Sequence, residues 1–317
     1  MVSIIIPCYN AALYIGKCVE ALSSQTFKDF KVIFVDDCST DDTYHQLCQL
    51  QSKSTLDVKV IRNSINSGPA VSRNNGILAA DTKYITFCDS DDWYESDFLD
   101  TLVGLLESNS ADIAFCGYKI VDDLDNFQLR PVASKSGLIG REEAFSLDAD
   151  SLCMMMVKTD IMKQTLLPNL RNGEDVATVP LLMAKSRRYA ITDRCLYNYF
   201  RRQGSASETP SIKVVDSLLS SFQFISTNFP NAFPKELEFL GIKNILYSAI
   251  ITLFTLGNYK SRAKEIVDTF EKEFPNWRKN SYIRSLRIYK RVIISFVSLR
   301  MWDAIRAVAI LRGRLLK

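Results

Sequence analysis

Between residues 2 and 88, short apolar runs alternate with segments whose apolar positions recur at helical spacing. Residues 2–7 (VSIIIP), 31–35 (KVIFV), 58–62 and 84–88 (YITFC) read as strands, since β-branched and aromatic side chains fit a pleated surface covered on both faces. Between them, residues 12–25 place Ile15, Val19 and Leu22 on one face of a helix. Residues 41–50 are helical with Ser39 or Thr40 available as N-cap, and Gly68-Pro69 opens a helix reaching about residue 80. This alternation predicts a doubly wound, mostly parallel α/β sheet. Right-handed crossovers would bring the carboxyl ends of its strands to one edge, where open sheets bind ligands. Three groups then face one crevice: Pro7-Cys8-Tyr9-Asn10, Asp36-Asp37-Cys38-Ser39 and Asp89-Ser90-Asp91.

Beyond residue 110 the pattern changes. Residues 113–121 form a strand, 122–136 a polar hairpin or loop, and 140–146 a helix; 153–157 is apolar. Asn172-Gly173 is a turn signal ahead of Glu174-Asp175 and a helix over 176–185. Residues 189–192 and 196–200 are two further strand candidates, and helical periods dominate from 211 onward. The expected division is 1–110, 111–210 and 211–317.

The charge is uneven. The net charge is +3, but residues 281–317 hold nine Lys/Arg and one Asp, leaving about −5 on the rest. Eight cysteines are scattered without CxxC pairs, which predicts buried thiols in a reducing compartment rather than a disulfide frame or zinc site. The only histidine is His45, which disfavours a His-based metal site or a Ser-His-Asp relay. Residues 245–256 come nearest to a membrane span but are too short, so a buried amphipathic helix is expected. No signal peptide precedes the first strand, and a cytoplasmic location is expected.

Three carboxylates in four positions, Asp89, Asp91 and Asp92, close the strand 84–88. Like charges crowd unfavourably unless a cation neutralises them, so the cluster points to a divalent metal and a phosphorylated ligand. In an extended segment Asp89 and Asp91 would point the same way, and Mg²⁺ or Mn²⁺ takes one or two carboxylates plus phosphate oxygens. The competing view is an acidic helix start before Trp93.

Five fragments in order resemble the family 2 glycosyltransferases: 2–10 (VSIIIPCYN), 24–27 (SQTF), 35–41 (VDDCSTD), 72–76 (SRNNG) and 87–93 (FCDSDDW). The resemblance is dense to about residue 110, thinner to about 207, and fades beyond. It implies a GT-A fold, with a nucleotide-binding α/β half (1–110), an acceptor-binding half (111–210) and a helical C-terminal region (211–317). It also implies a metal held by Asp91, with Asp89 on the ribose or metal and Ser90 between them. Asp37 would accept the N3–H of uracil, Tyr9 would lie against the base beside Pro7 and Asn10, and Arg73 could reach the diphosphate. Gly173-Glu174-Asp175 matches the family's catalytic acid at a helix start, with Asp175 as base and Glu174 as fallback. Arg201 and Arg202, in the family's closing segment, would balance diphosphate charge. Many GT-A enzymes place a metal-binding His there; here there is none, so Asp91 and phosphate would hold the metal.

The expected activity is an inverting, metal-dependent transfer from a UDP-sugar to a hydroxyl of a glycan or lipid-linked glycan in surface polysaccharide synthesis. The alternatives are a sugar-nucleotide nucleotidyltransferase and a non-catalytic nucleotide-sugar binding protein. The loop after the first strand lacks the Gly-rich, basic character a triphosphate site favours. In the basic tail, Trp302, Ile305, Val308 and Ala309 could share one face. That face would suit an anionic membrane surface at the inner side of the cell membrane, or packing on its own domain or a twin subunit. Nucleic acid is disfavoured, because the basic segment is apolar and the body acidic.

Overall fold

Among the described residues, ten strands build one sheet: β1 (Val2–Cys8), β2 (Phe30–Asp36), β3 (Asp57–Arg62), β4 (Tyr84–Phe87), β5 (Trp93–Tyr94), β6 (Ile113–Val121), β7 (Phe127–Arg130), β8 (Gly137–Ile139), β9 (Met155–Lys158) and β10 (Tyr189–Phe200). The computed structural model describes residues 1–170, 172–201, 211–257 and 259–315. The strand order is β3-β2-β1-β4-β9-β6-β10-β5, with β7 on β6 and β8 on β10. β3, β2, β1 and β4 run parallel, as expected for strands separated by helices. β9 enters antiparallel between β4 and β6, and β10 returns parallel to β6. The result is the expected mostly parallel α/β sheet, with a mixed second half. The candidates at 189–192 and 196–200 are one strand, interrupted by register shifts between Ile191 and Tyr197.

Helices Ile15–Ser23, Thr43–Lys53 and Pro69–Ala79 connect the parallel strands. Ser39 and Thr40 do not cap the second of these. Asp41 accepts the Thr43 N–H at 3.0 Å instead, while Ser39 and Thr40 bond Asn10 across the sheet edge. The 72–76 fragment is explained residue by residue. The Asn63 amide donates to the Ser72 hydroxyl at 3.0 Å, and Arg73 bonds Asp89. Asn74 exchanges two hydrogen bonds with the Leu167 backbone, and the Asn75 amide donates to Asn63. Gly76 lies so close to β1 that a Cβ there would stand 2.4 Å from Ile5 Cγ2. The helix Phe98–Ser108, absent from the sequence pattern above, buries Phe98, Leu99, Leu102 and Leu106. Buried Gln25 fixes its start, accepting the Leu99 N–H and donating to the Glu95 carbonyl.

The chain divides into two compact units, Met1–Asn169 with Lys185–Gln203, and Leu170–Ala184 with Gly204–Lys317. The first contains the whole sheet. Residues 170–184 thus group with the helical region, although the sequence pattern sets them with residues 111–210; the Ser221 hydroxyl donates to the Gly173 carbonyl at 2.9 Å.

In the second unit, a continuous helix Pro234–Leu256 is π-helical from Ile242 to Ala249. It is long and apolar enough to cross a bilayer, yet 78% of its apolar window is buried in the protein. Around it lie helices Ile212–Asn228, Lys260–Glu273, Ile288–Ser298 and Trp302–Leu315. The tail face expected to suit a membrane is used internally. Trp302 stacks on Phe254 at 6.1 Å, and Ile305 and Ala309 are buried.

Candidate active site

The carboxyl ends of β1, β2 and β4 meet on one edge of the first unit, as the crossover rule requires. Beyond β1, Tyr9 is 50% exposed. Asn10 adopts φ 50°, and Cys38, beyond β2, adopts φ 60°. Non-glycine residues in this region are sparse and collect where surrounding contacts dictate the backbone. Here those contacts run from the Asn10 N–H to the Ser39 hydroxyl (3.1 Å) and from the Thr40 N–H to Asn10 Oδ1 (2.9 Å). Pro7 lies within β1, one residue before its end.

Asp36 and Asp37 separate into two duties. Asp36 is fully buried and pairs with Arg62 at 3.2 Å, whose guanidinium lies over the Tyr44 ring. Asp37 is also buried. Its Oδ1 accepts from the Asn63 amide at 2.7 Å and from the Ser67 N–H at 2.9 Å, while Oδ2 accepts the Gly68 N–H at 2.7 Å and shares the Ser67 N–H at 3.1 Å. Asn63, Ser67 and Gly68 carry no motif of their own; the cue to Asn63 is its place just after β3.

The acidic fragment is a turn rather than an extended segment. β4 ends at Phe87, and the Asp92 N–H bonds the Asp89 carbonyl at 3.1 Å, which puts Ser90 and Asp91 at the apex. Alternation along a strand therefore does not orient Asp89 and Asp91; the turn does. Asp89 Oδ1 accepts from Arg73 at 2.7 Å. Arg73 itself is buried.

Asp92, the third carboxylate, points inward and is 1% exposed. It accepts hydrogen bonds from the Tyr197 hydroxyl and, at 2.8 Å, from the Phe200 N–H. Burial pushes its pKa well above the carboxylate range, and the charges of Asp89 and Asp91 push in the same direction. β10 is thereby fastened to the acidic turn. Its last ring, Phe200, lies between Tyr14 (6.4 Å) and Trp93 (6.1 Å). Arg201 follows, exposed, with its N–H on the Val121 carbonyl; Arg202 lies outside the described residues.

Glu174 and Asp175 open the helix Glu174–Lys185 in the second unit. Gly173 precedes them at φ +84°, and a Cβ there would come within 2.6 Å of Ser221 Oγ, so only glycine fits this entry to the helix. Glu174 is buried and Asp175 half-buried. His45 bonds Gln49 on an exposed helix face, and all eight cysteines are free thiols.

The residues present suit a hard divalent cation. The turn supplies carboxylate oxygens, the hard ligands such an ion takes. Among the described residues there is no group of three His, Cys, Asp or Glu to cage a metal. Such an ion would draw its remaining ligands from substrate phosphate and water, as Mg²⁺ commonly does.

A mostly parallel sheet with an acidic turn at its ligand edge, followed by a helical region, is the architecture of the GT-A glycosyltransferases. The chain belongs to glycosyl transferase family 2, whose model matches residues 3–166. It is 30% identical over 203 residues to a Bacillus subtilis (strain 168) protein provisionally named as the teichuronic acid biosynthesis glycosyltransferase TuaG, covering 63% of this chain and 78% of that one. It is 25% identical over 222 residues to glycosyltransferase GlyG of Streptococcus pneumoniae serotype 4, covering 66% and 73%. The crystal structure of S. aureus TarS 1–349 in complex with UDP aligns over 99% of this chain and 91% of that one, with TM-score 0.70 and 19% identity. The same fragment with UDP-GlcNAc aligns at TM-score 0.66. At that identity the likeness is one of fold.

Proposed function

We propose that this glycosyltransferase moves a sugar from a UDP-sugar to a hydroxyl of a glycan or lipid-linked glycan, with inversion at the anomeric carbon and with Mn²⁺ or Mg²⁺. The observation that carries the proposal is the gathering of exposed Tyr9, buried Asp37 and the Asp89–Asp91 turn on one sheet edge. Tyr9 offers an aromatic face to the base. Asp37, positioned by Asn63, Ser67 and Gly68, would accept the uracil N3–H; cytosine has no proton there. Arg73 holds Asp89 and would bring a positive charge to the diphosphate. Asp91, with Asp89, would hold the cation, which when bound neutralises the diphosphate and stabilises the departing UDP. Arg201 and Arg202 add positive charge where the leaving group departs.

We assign Asp175 as the base that takes the acceptor hydroxyl proton, with Glu174 as its fallback. A carboxylate at a helix start, positioned by a glycine that admits no side chain, suits that role. The names of TuaG and of the TarS complexes favour a bacterial cell-wall polysaccharide as product and UDP as carrier. Free thiols throughout favour a reducing, cytoplasmic setting, and the basic residues 281–317 would bring the enzyme to the membrane holding a lipid-linked acceptor.

The test is UDP release from a panel of UDP-sugars with Mn²⁺, for the unchanged chain and for Asp175→Asn. Release that requires acceptor and collapses in the variant supports the assignment; release unaffected by the change overturns the base. Stabilisation of the fold by GDP- or CDP-sugars alone would overturn the role of Asp37.

A further inference from the structure

Exposed apolar side chains of the tail include Met301, Ile310 and Leu311, and a strip on the helix before Trp302. On Ile288–Ser298, Ile293, Ile294 and Val297 are buried, and Tyr289 meets Tyr247 of the long helix edge-on at 6.4 Å. Ile288 is 76% exposed, Val292 42%, and Leu299, just past the helix end, 68%. At 100° per residue these three fall within about 40° of one another, opposite the buried seam. Contiguous aliphatic side chains left in water mark a surface that something covers.

The neighbouring charges identify the cover. Residues 281–301 contain five Lys/Arg and neither Asp nor Glu. Arg278 and Arg300 are neutralised by Glu271 and Asp268. Arg284, just before the helix, and Arg291, within it, are exposed, and among the described residues no ion pair engages either. A helix with one apolar face turned outward and arginines along its border matches an anionic interface rather than a protein core.

We propose that this face docks onto an anionic lipid surface. Ile288, Val292 and Leu299 enter the headgroup boundary, and Arg284 and Arg291 meet the lipid phosphates. The inference deepens the transferase reading by naming the surface that presents the acceptor. Binding to lipid needs neither donor nor acceptor, so the two stand or fall separately.

The test is flotation of the full chain with phosphatidylcholine vesicles, with and without phosphatidylglycerol. The expected result is flotation with the anionic vesicles alone, weakening as salt is added. Val292→Glu should weaken binding on the order of tenfold, and Arg284→Gln and Arg291→Gln about fivefold each. Thermal unfolding and UDP release in solution should match the unchanged chain. If Val292→Glu does not fold, the two arginine variants together carry the test. The proposal is overturned if the chain does not float with anionic vesicles, or if the variants float as well as the original. It is equally overturned if light scattering shows a dimer that Val292→Glu disperses, since the strip is then an interface between copies.

Discussion

The Tyr197 hydroxyl stands between two parts of one acidic turn, donating to the Asp92 carboxylate and facing the Asp89 N–H at 3.4 Å. A single side chain from β10 thus reaches both ends of the segment that carries Ser90 and Asp91. Tyr197→Phe removes the hydroxyl and keeps the ring against Tyr94. It should lower stability by about 1–3 kcal/mol, because a buried carboxylate loses a donor. Urea denaturation measures that loss. Turnover of UDP-sugar should fall further than unfolding explains, since the turn that holds Asp91 is loosened.

Asp91→Asn removes a carboxylate from the turn apex without changing its size. The expected outcome is loss of most UDP release, with the unfolding midpoint kept. EDTA should do the same to the unchanged protein, with activity returning on addition of Mn²⁺. Activity that survives both treatments would remove the metal from the proposal.

Gly76→Ala places a methyl group where Ile5 Cγ2 stands 2.4 Å away. The helix Pro69–Ala79 must then shift from β1, at a cost of about 1–3 kcal/mol for overpacking. That helix also carries Arg73, so the affinity for UDP, read by calorimetry, should fall alongside stability.

Gly173→Ala meets two obstacles, a φ of +84° and the Ser221 hydroxyl. The loop ahead of Asp175 must move while the sheet edge bearing Tyr9 and Asp37 is left unaltered. UDP affinity should remain, and sugar transfer should drop by at least about tenfold, since small misplacement of a catalytic group is costly in rate. Equal loss of both would place Gly173 in overall folding instead.

Asp112 links three chain segments, pairing with Lys158 at 2.7 Å and accepting N–H groups from Arg187 (2.7 Å) and Arg188 (3.2 Å). Burial acts to raise its pKa, but the lysine and the two backbone donors outweigh it and hold the carboxyl below its ordinary range. The fold therefore favours the ionised form. That contribution is complete above the unfolded-state pKa and disappears as pH falls through the lower folded value. Asp112→Asn should be less stable by about 1–2 kcal/mol at neutral pH. The gap in midpoint between variant and parent should close in strongly acidic buffer.

The parallel half of the sheet is legible from periodicity, because buried strands and amphipathic helices impose different spacings on their apolar residues. The 72–76 and 24–27 fragments are legible as motifs, but their duties are not. Gln25 pins the start of Phe98–Ser108, and Asn74 pins Leu167, contacts that span 74 and 93 residues of chain. Spacing along a chain carries no record of such partners.

By itself, the sequence determined that β1, β2 and β4 would bring Tyr9, Asp37 and Asp89 to one edge, since short crossovers of fixed hand leave the strand ends no other place. Only the tertiary structure decided that Asp92 turns inward to Tyr197, that Asp37 is clasped by Asn63, Ser67 and Gly68, and that Trp302 packs on Phe254 while Ile288, Val292 and Leu299 face out. The reason is physical: which carboxylate is buried, and which face of a helix is covered, depends on the side chains that distant segments bring alongside, and local pattern fixes only which residues can be brought.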